Sequence, residues 1–234
     1  MKARCKLTAL MLMLSLFAIG TKAQDYPSGI DVSYFQDSIK WADVAKHPHI
    51  KFVYIRSSEG ASVQDIRYKI NISDAKKAGL LVGSYHIYSN YSTVINQMKV
   101  IRKLITKDKQ DLIPMLDIED KSEKGPSYDP KMECVDSMLI LMEQEYGVKP
   151  IIYTSYNIYK MFFQDIKYKK YHFYIAKYNN TPPDMAYTLW QYTEKGRCSG
   201  IEKRVDFCCF NPKYNIDNIK MPASAKKASA PTKK

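Results

Sequence analysis

The chain has 234 residues, is 45% hydrophobic and 26% charged, and carries a formal net charge of +12. That length suits one large domain, and that apolar content excludes a chain disordered throughout. Four of the excess charges come from Lys2, Arg4, Lys6 and Lys22 and five from Lys220, Lys226, Lys227, Lys233 and Lys234; only +3 remains on residues 24–219, too little for a nucleic-acid-binding face.

The first residues read as a signal peptide, 1–23. A basic start precedes an apolar run from Leu7 to Ile19, and Thr21-Lys22-Ala23 offers a cleavage site near Ala23. The run is short for a membrane span, which needs ~20 apolar residues. A soluble mature chain, exported to the periplasm or the cell exterior, is therefore expected. Export permits disulfides, and Cys198 could meet Cys208 or Cys209 if the stretch between them folds back as a hairpin. Free thiols are the alternative. No Cys or His grouping has metal-ligand spacing, so no metal or other cofactor is expected.

Strand candidates then follow in order: Gly29–Ser33, Phe52–Ser57, Leu80–Ile87, Leu112–Ile118, Lys149–Thr154, His172–Ala176, Thr188–Tyr192 and Arg204–Phe207. Helical spacing of apolar residues marks Gln64–Ala78, Ser92–Ile105 and Pro130–Tyr146; the first and last stop at a glycine, Gly79 and Gly147. Strand–helix alternation predicts an α/β fold, a parallel sheet closed as a TIM-like flattened barrel. Helices after the later strands look short or missing, so the outer ring should be incomplete. One domain is expected over residues 24–219, then a disordered basic tail, 220–234, rich in Ala, Ser, Pro and Lys. Such a tail could hold an exported monomer near an anionic wall or membrane surface.

In barrels of this kind the active groups stand at the C-terminal strand ends. Polar residues recur there: Asp31, Glu59, Tyr85 and His86, Asp117 and Glu119, Tyr153, Lys177, Gln191, Asp206. Asp117 and Glu119 lie two apart on one strand, so both point to the same face, with attachment points about 6.6 Å apart at ~3.3 Å per residue. They emerge from the apolar run Leu112-Ile113-Pro114-Met115-Leu116. Burial and mutual repulsion there would let one carboxyl keep a proton while the other ionises, the division of labour that glycosidases use. Glu119, nearer the rim, is the candidate general acid, and Asp117 the charge-stabilising partner. The bland alternatives for such a triplet are a solvated loop pair or a divalent-metal site. His86 is read as a hydrogen-bonded structural residue.

The segments Gly29-Ile30-Asp31-Val32-Ser33, Phe52–Gly60, Ala78–His86, Pro114–Glu119, Ile151–Thr154, Ile175–Tyr178, Leu189-Trp190-Gln191-Tyr192 and Val205-Asp206, taken in order, resemble glycoside hydrolase family 25, the Chalaropsis-type lysozymes. The resemblance implies a flattened barrel and β-1,4-N-acetylmuramidase activity on the glycan strands of peptidoglycan. It implies Glu119 as proton donor, Asp117 as its partner, and Asp31 and Asp206 as two further acids of the site. Tyr85, Tyr153, Trp190 and Gln191 match groove positions, and Glu59 and Lys177 join them as candidate substrate contacts. Arg56, where many members have Lys, and Cys208-Cys209 depart from the pattern without removing an acid. A catalytically silent wall-binding module, or a chitin-type hydrolase, would share the fold.

Overall fold

The computed structural model describes residues 28–119, 130–179 and 181–227. The signal-peptide reading, residues 1–23, lies outside them. Strand β1 (Ser28–Val32) leads through a short 3-10 turn (Tyr34–Gln36) to helix α1 (Trp41–Val44) and β2 (Ile50–Glu59). Next come β3 (Val63–Gln64), α2 (Tyr68–Lys77), β4 (Leu81–Ile87), α3 (Val94–Leu104), β5 (Met115–Ile118) and α4 (Met132–Tyr146). The chain continues through β6 (Ile151–Ser155), α5 (Tyr156–Phe162), β7 (Phe173–Ala176), β8 (Leu189–Cys198), β9 (Ile201–Phe210) and α6 (Ala223–Lys227).

Eight of these strands close a barrel in the order β1-β2-β4-β5-β6-β7-β8-β9, with β9 pairing back to β1 and β3 a short hairpin arm on β2. Every neighbour pair from β1 to β8 is parallel. The expectation of a wholly parallel sheet fails at one strand: β9 runs antiparallel to both neighbours, because a tight turn joins it to β8. Helices α2 to α5 cover the crossovers from β2 to β7. No helix lies between β7 and β8 among the described residues, so the outer ring is incomplete as expected.

Aromatic side chains fill the barrel. Tyr54 and Tyr174 are fully buried with ring centroids 6.4 Å apart, and Phe52 and Phe210 meet at 5.5 Å. Glycines opposite them make the room. A Cβ on Gly83 would lie 2.4 Å from the Tyr54 ring, and one on Gly29 would lie 2.2 Å from Phe52. The Tyr54 phenol, deep in this core, donates to the Ile113 carbonyl at 3.0 Å, so its hydroxyl is satisfied.

Three expectations need correcting. β5 begins at Met115 because Pro114 has no N–H for the ladder; its carbonyl still accepts from Ile151 N. Residues 220–227 are not tail: Ile113 N donates to Ile219 O, Met221 N donates to Asp111 O, and Met221 and Ala225 are buried. The β8–β9 hairpin forms, but Cys198 sits at its turn while Cys208 and Cys209 pair with Gln191 and Trp190 at its other end. All four described cysteines are free thiols.

Candidate active site

One mouth of the barrel gathers the acids. Asp31 on β1 stands directly opposite Asp206 on β9, and Asp117 on β5 is in register with Tyr153 on β6. Asp117 is buried, whereas Glu119, just past the end of β5, is partly exposed. The dry strand and wet rim anticipated from the sequence are therefore both present.

A cavity of ≈320 Å³ holds Asp31, Asp117, Glu119 and Asp206 together with Tyr85, Tyr153, Arg56 and Phe35. A second, of ≈570 Å³, runs from Tyr156 and Lys177 to Tyr178. Glu119, Tyr153 and Glu194 line both, so the two adjoin there as one groove.

Electrostatics divide these carboxyls. Asp31 accepts from the Tyr174 hydroxyl at 2.8 Å and from Gln191 Nε2 at 2.9 Å. Burial raises the pKa values of both Asp31 and Asp206, and the two share a hydrogen bond. Burial first, and then the charge of Asp31, push Asp206 up to about 9. Burial and mutual repulsion therefore keep the two from ionising together, and the pair holds a shared proton at neutral pH. Burial, then Asp31 and Asp117, hold the Tyr85 phenol well above its usual range, with Arg56 acting the other way. The Tyr153 phenol is held up by burial first, with Tyr178, Asp117 and Glu119 adding to it. Both tyrosines thus stay protonated beside the carboxylates, and the Tyr153 hydroxyl donates to Gln191 Oε1 at 2.8 Å.

Arg56 walls one side. Its Nε donates to Asp65 Oδ2 at 3.0 Å and its guanidinium carbon lies 4.6 Å from the Tyr34 ring centroid, so the charge is matched and stacked. Among the described residues no group of His, Cys, Asp or Glu is arranged to hold a metal ion.

Several expected contacts are placed elsewhere. Glu59 lies behind Arg56, 3.9 Å from its Nη1, in a depression that adjoins the first cavity across Arg56 and Phe35, and it lines neither half of the groove. Trp190 lines neither cavity; its Nε1 donates to the Lys177 carbonyl at 2.9 Å, and alternation along β8 turns its ring away from the face that holds Gln191. Gln191 lies beneath the groove, 1% exposed. Lys177 does line the groove, its Nζ 4.9 Å from the Tyr156 ring. His86 is fully buried and bonded to Ser58 and Gln97, as a structural histidine should be. Sequence reasoning missed Phe35, Tyr178, Glu194 and Arg204 as lining residues. Glu194 was hidden by a register shift between Gln191 and Thr193, which breaks the two-residue alternation that would have turned it away.

The family model described as "Glycosyl hydrolases family 25" matches residues 30–201. The Escherichia coli (strain K12) protein YegX is 30% identical over 202 residues, 83% of this chain and 73% of that protein. Lysozyme M1 of Streptomyces globisporus is 28% identical over 199 residues, 78% of this chain and 67% of that one. Among solved structures, a family 25 glycosyl hydrolase from Bacillus anthracis superposes with a TM-score of 0.74 at 29% identity, covering 83% of this chain and 93% of its own. A bacterial lysozyme from Streptomyces coelicolor gives 0.71 at 25% identity, covering 82% and 94%.

Proposed function

The chain belongs to glycosyl hydrolase family 25, and from that premise we propose that it is an exported lysozyme. It hydrolyses the β-1,4 bond between N-acetylmuramic acid and N-acetylglucosamine in peptidoglycan. The observation that carries this reading is the convergence of Asp31, Asp117, Glu119 and Asp206 on one groove, with Glu119 where its two halves meet. The groove is open along its length, as a polymer substrate requires, and Lysozyme M1 is among the relatives.

Glu119 acts as general acid. Its proton passes to the glycosidic oxygen as the bond from that oxygen to the anomeric carbon breaks. Asp117, buried beside it, orients the acetamido N–H of the same sugar and steadies positive charge as the acetamido carbonyl oxygen attacks the anomeric carbon from the opposite face. Water then opens the cyclic intermediate, returning a proton to Glu119, and configuration is retained. Asp31 and Asp206, sharing one proton, place a single negative charge beneath the reacting ring instead of two. The enzyme works as a monomer without a cofactor, and its basic C-terminal end keeps it near anionic wall polymer.

Digestion of purified peptidoglycan, with mass analysis of the new reducing ends, tests the assignment. Muramic acid ends are expected. Glucosamine ends would point to a chitin-type specificity, and no release would point to a silent binding module. Replacing the acetamido group of the muramic acid by a hydroxyl should slow cleavage by at least ~100-fold; equal rates would exclude substrate assistance.

A further inference from the structure

Gln191 sits below the groove and touches three of its components. Its Nε2 donates to Asp31 Oδ2 at 2.9 Å, while its Oε1 accepts from the Tyr153 hydroxyl at 2.8 Å and the Tyr178 hydroxyl at 2.6 Å. These directions are forced. Asp31 Oδ2 already accepts from the Tyr174 hydroxyl at 2.8 Å, so that oxygen presents a lone pair, not a hydrogen, to Gln191. The amide must therefore turn its NH2 toward Asp31 and its carbonyl toward the phenols. A carbonyl oxygen also only accepts, so each phenol gives its one hydrogen to Gln191. Burial holds both phenols well above their usual range, so neither loses that hydrogen at neutral pH. What the two phenol oxygens still offer the groove is lone pairs.

We propose that Gln191 is a positioning residue that fixes the hydrogen-bond polarity of one end of the groove: Tyr153 and Tyr178 face it as acceptors, and the donor they take there is the amide N–H of an N-acetylated sugar. This rests on the chain being a hydrolase of N-acetylated glycans. It adds a recognition point beyond Asp117, because Tyr178 lines the half of the groove that Asp117 does not reach. The order of dependence is Tyr174 and Asp31, then Gln191, then the two tyrosines.

The test compares two oligosaccharides of alternating N-acetylmuramic acid and N-acetylglucosamine. They are identical except that one acetamide, on a sugar next to the cleaved pair, is replaced by an acetate ester, which has the same carbonyl but no N–H. Wild type should show a KM about 10-fold higher for the ester at little cost in kcat, the effect of one neutral hydrogen bond lost in binding. In Tyr178→Phe, and separately in Gln191→Met, that ratio should fall by more than half. Gln191→Met frees the phenol hydrogens to donate to either carbonyl. Because Gln191 is buried, its variant could lose its fold; Tyr178 is 51% exposed, so its variant alone is sufficient. A wild-type ratio near one, or an unchanged ratio in folded Tyr178→Phe, overturns the inference and leaves the proposed function standing. Cleavage of neither oligosaccharide by wild type overturns both.

Discussion

Asp31 and Asp206 face each other across β1 and β9 in a pocket where burial penalises charge, and two adjacent carboxylates there cannot both ionise. In the unfolded chain Asp206 loses its proton near 3.8; in the fold it keeps it to about 9. The folded state therefore binds more protons between those values, and stability falls as pH rises through that window. Asp206→Asn supplies a donor to Asp31 without needing a proton. It should be more stable than wild type at pH 8 by about 1–2 kcal/mol, with the gain vanishing near pH 4, and less active. Denaturant titration at both pH values checks this, and an equal difference at both would count against a shared proton. Asp31, Asp117 and Glu119 were legible in the sequence because they fall at or beside strand ends, where a barrel puts its chemistry; Asp206 lies in the middle of the antiparallel β9 and reaches the same mouth by pairing opposite Asp31. Glu59 also ends a strand but sits off the groove, beyond a register shift in β2, and Trp190 next to Gln191 is turned to the opposite face by strand alternation.

At the next scale, β4 is fastened to α3 by a buried polar clasp. Ser58 Oγ lies 2.8 Å from His86 Nδ1, and His86 Nε2 lies 3.2 Å from Gln97 Oε1. Gln97 also accepts from Ser89 N and donates to the carbonyls of Ser89 and Ser92. Its oxygen can only accept, so His86 donates through Nε2 and receives from Ser58. Burial lowers the His86 pKa to about 4, keeping the ring neutral. Gln97→Ala leaves several of these groups without partners and should cost about 2–3 kcal/mol. Calorimetry would detect this, and an unchanged Tm would refute the clasp. Helices α2, α3 and α4 were readable because apolar residues recur at helical spacing and glycines follow two of them. The outer halves of β8 and β9 were not, because Thr193 to Arg197 and Glu202 to Arg204 are mostly polar and half-exposed or exposed. They are strand only because each pairs with the other.

In the whole molecule the barrel closes through a late antiparallel hairpin, and the segment after it returns to brace residues 111–113. Chain ending at Ile219 should therefore lose about 5 °C in Tm, through lost backbone bonds and the exposure of Met221 and Ala225. Chain ending at Lys227 should keep its Tm and its rate on soluble glycan but bind anionic wall polymer less tightly at low salt. Loss of stability in the longer form would contradict this division. In the proposed function, the barrel brings β5 to a groove where Glu119 would hand a proton to a departing oxygen. Glu119→Gln tests that most directly, with rates measured on peptidoglycan and on an aryl glycoside of N-acetylmuramic acid whose leaving group needs no proton. The rate on peptidoglycan should fall by ~10²–10⁴ while the aryl glycoside is cleaved at near wild-type rate; an equal loss on both substrates would contradict Glu119 as the acid.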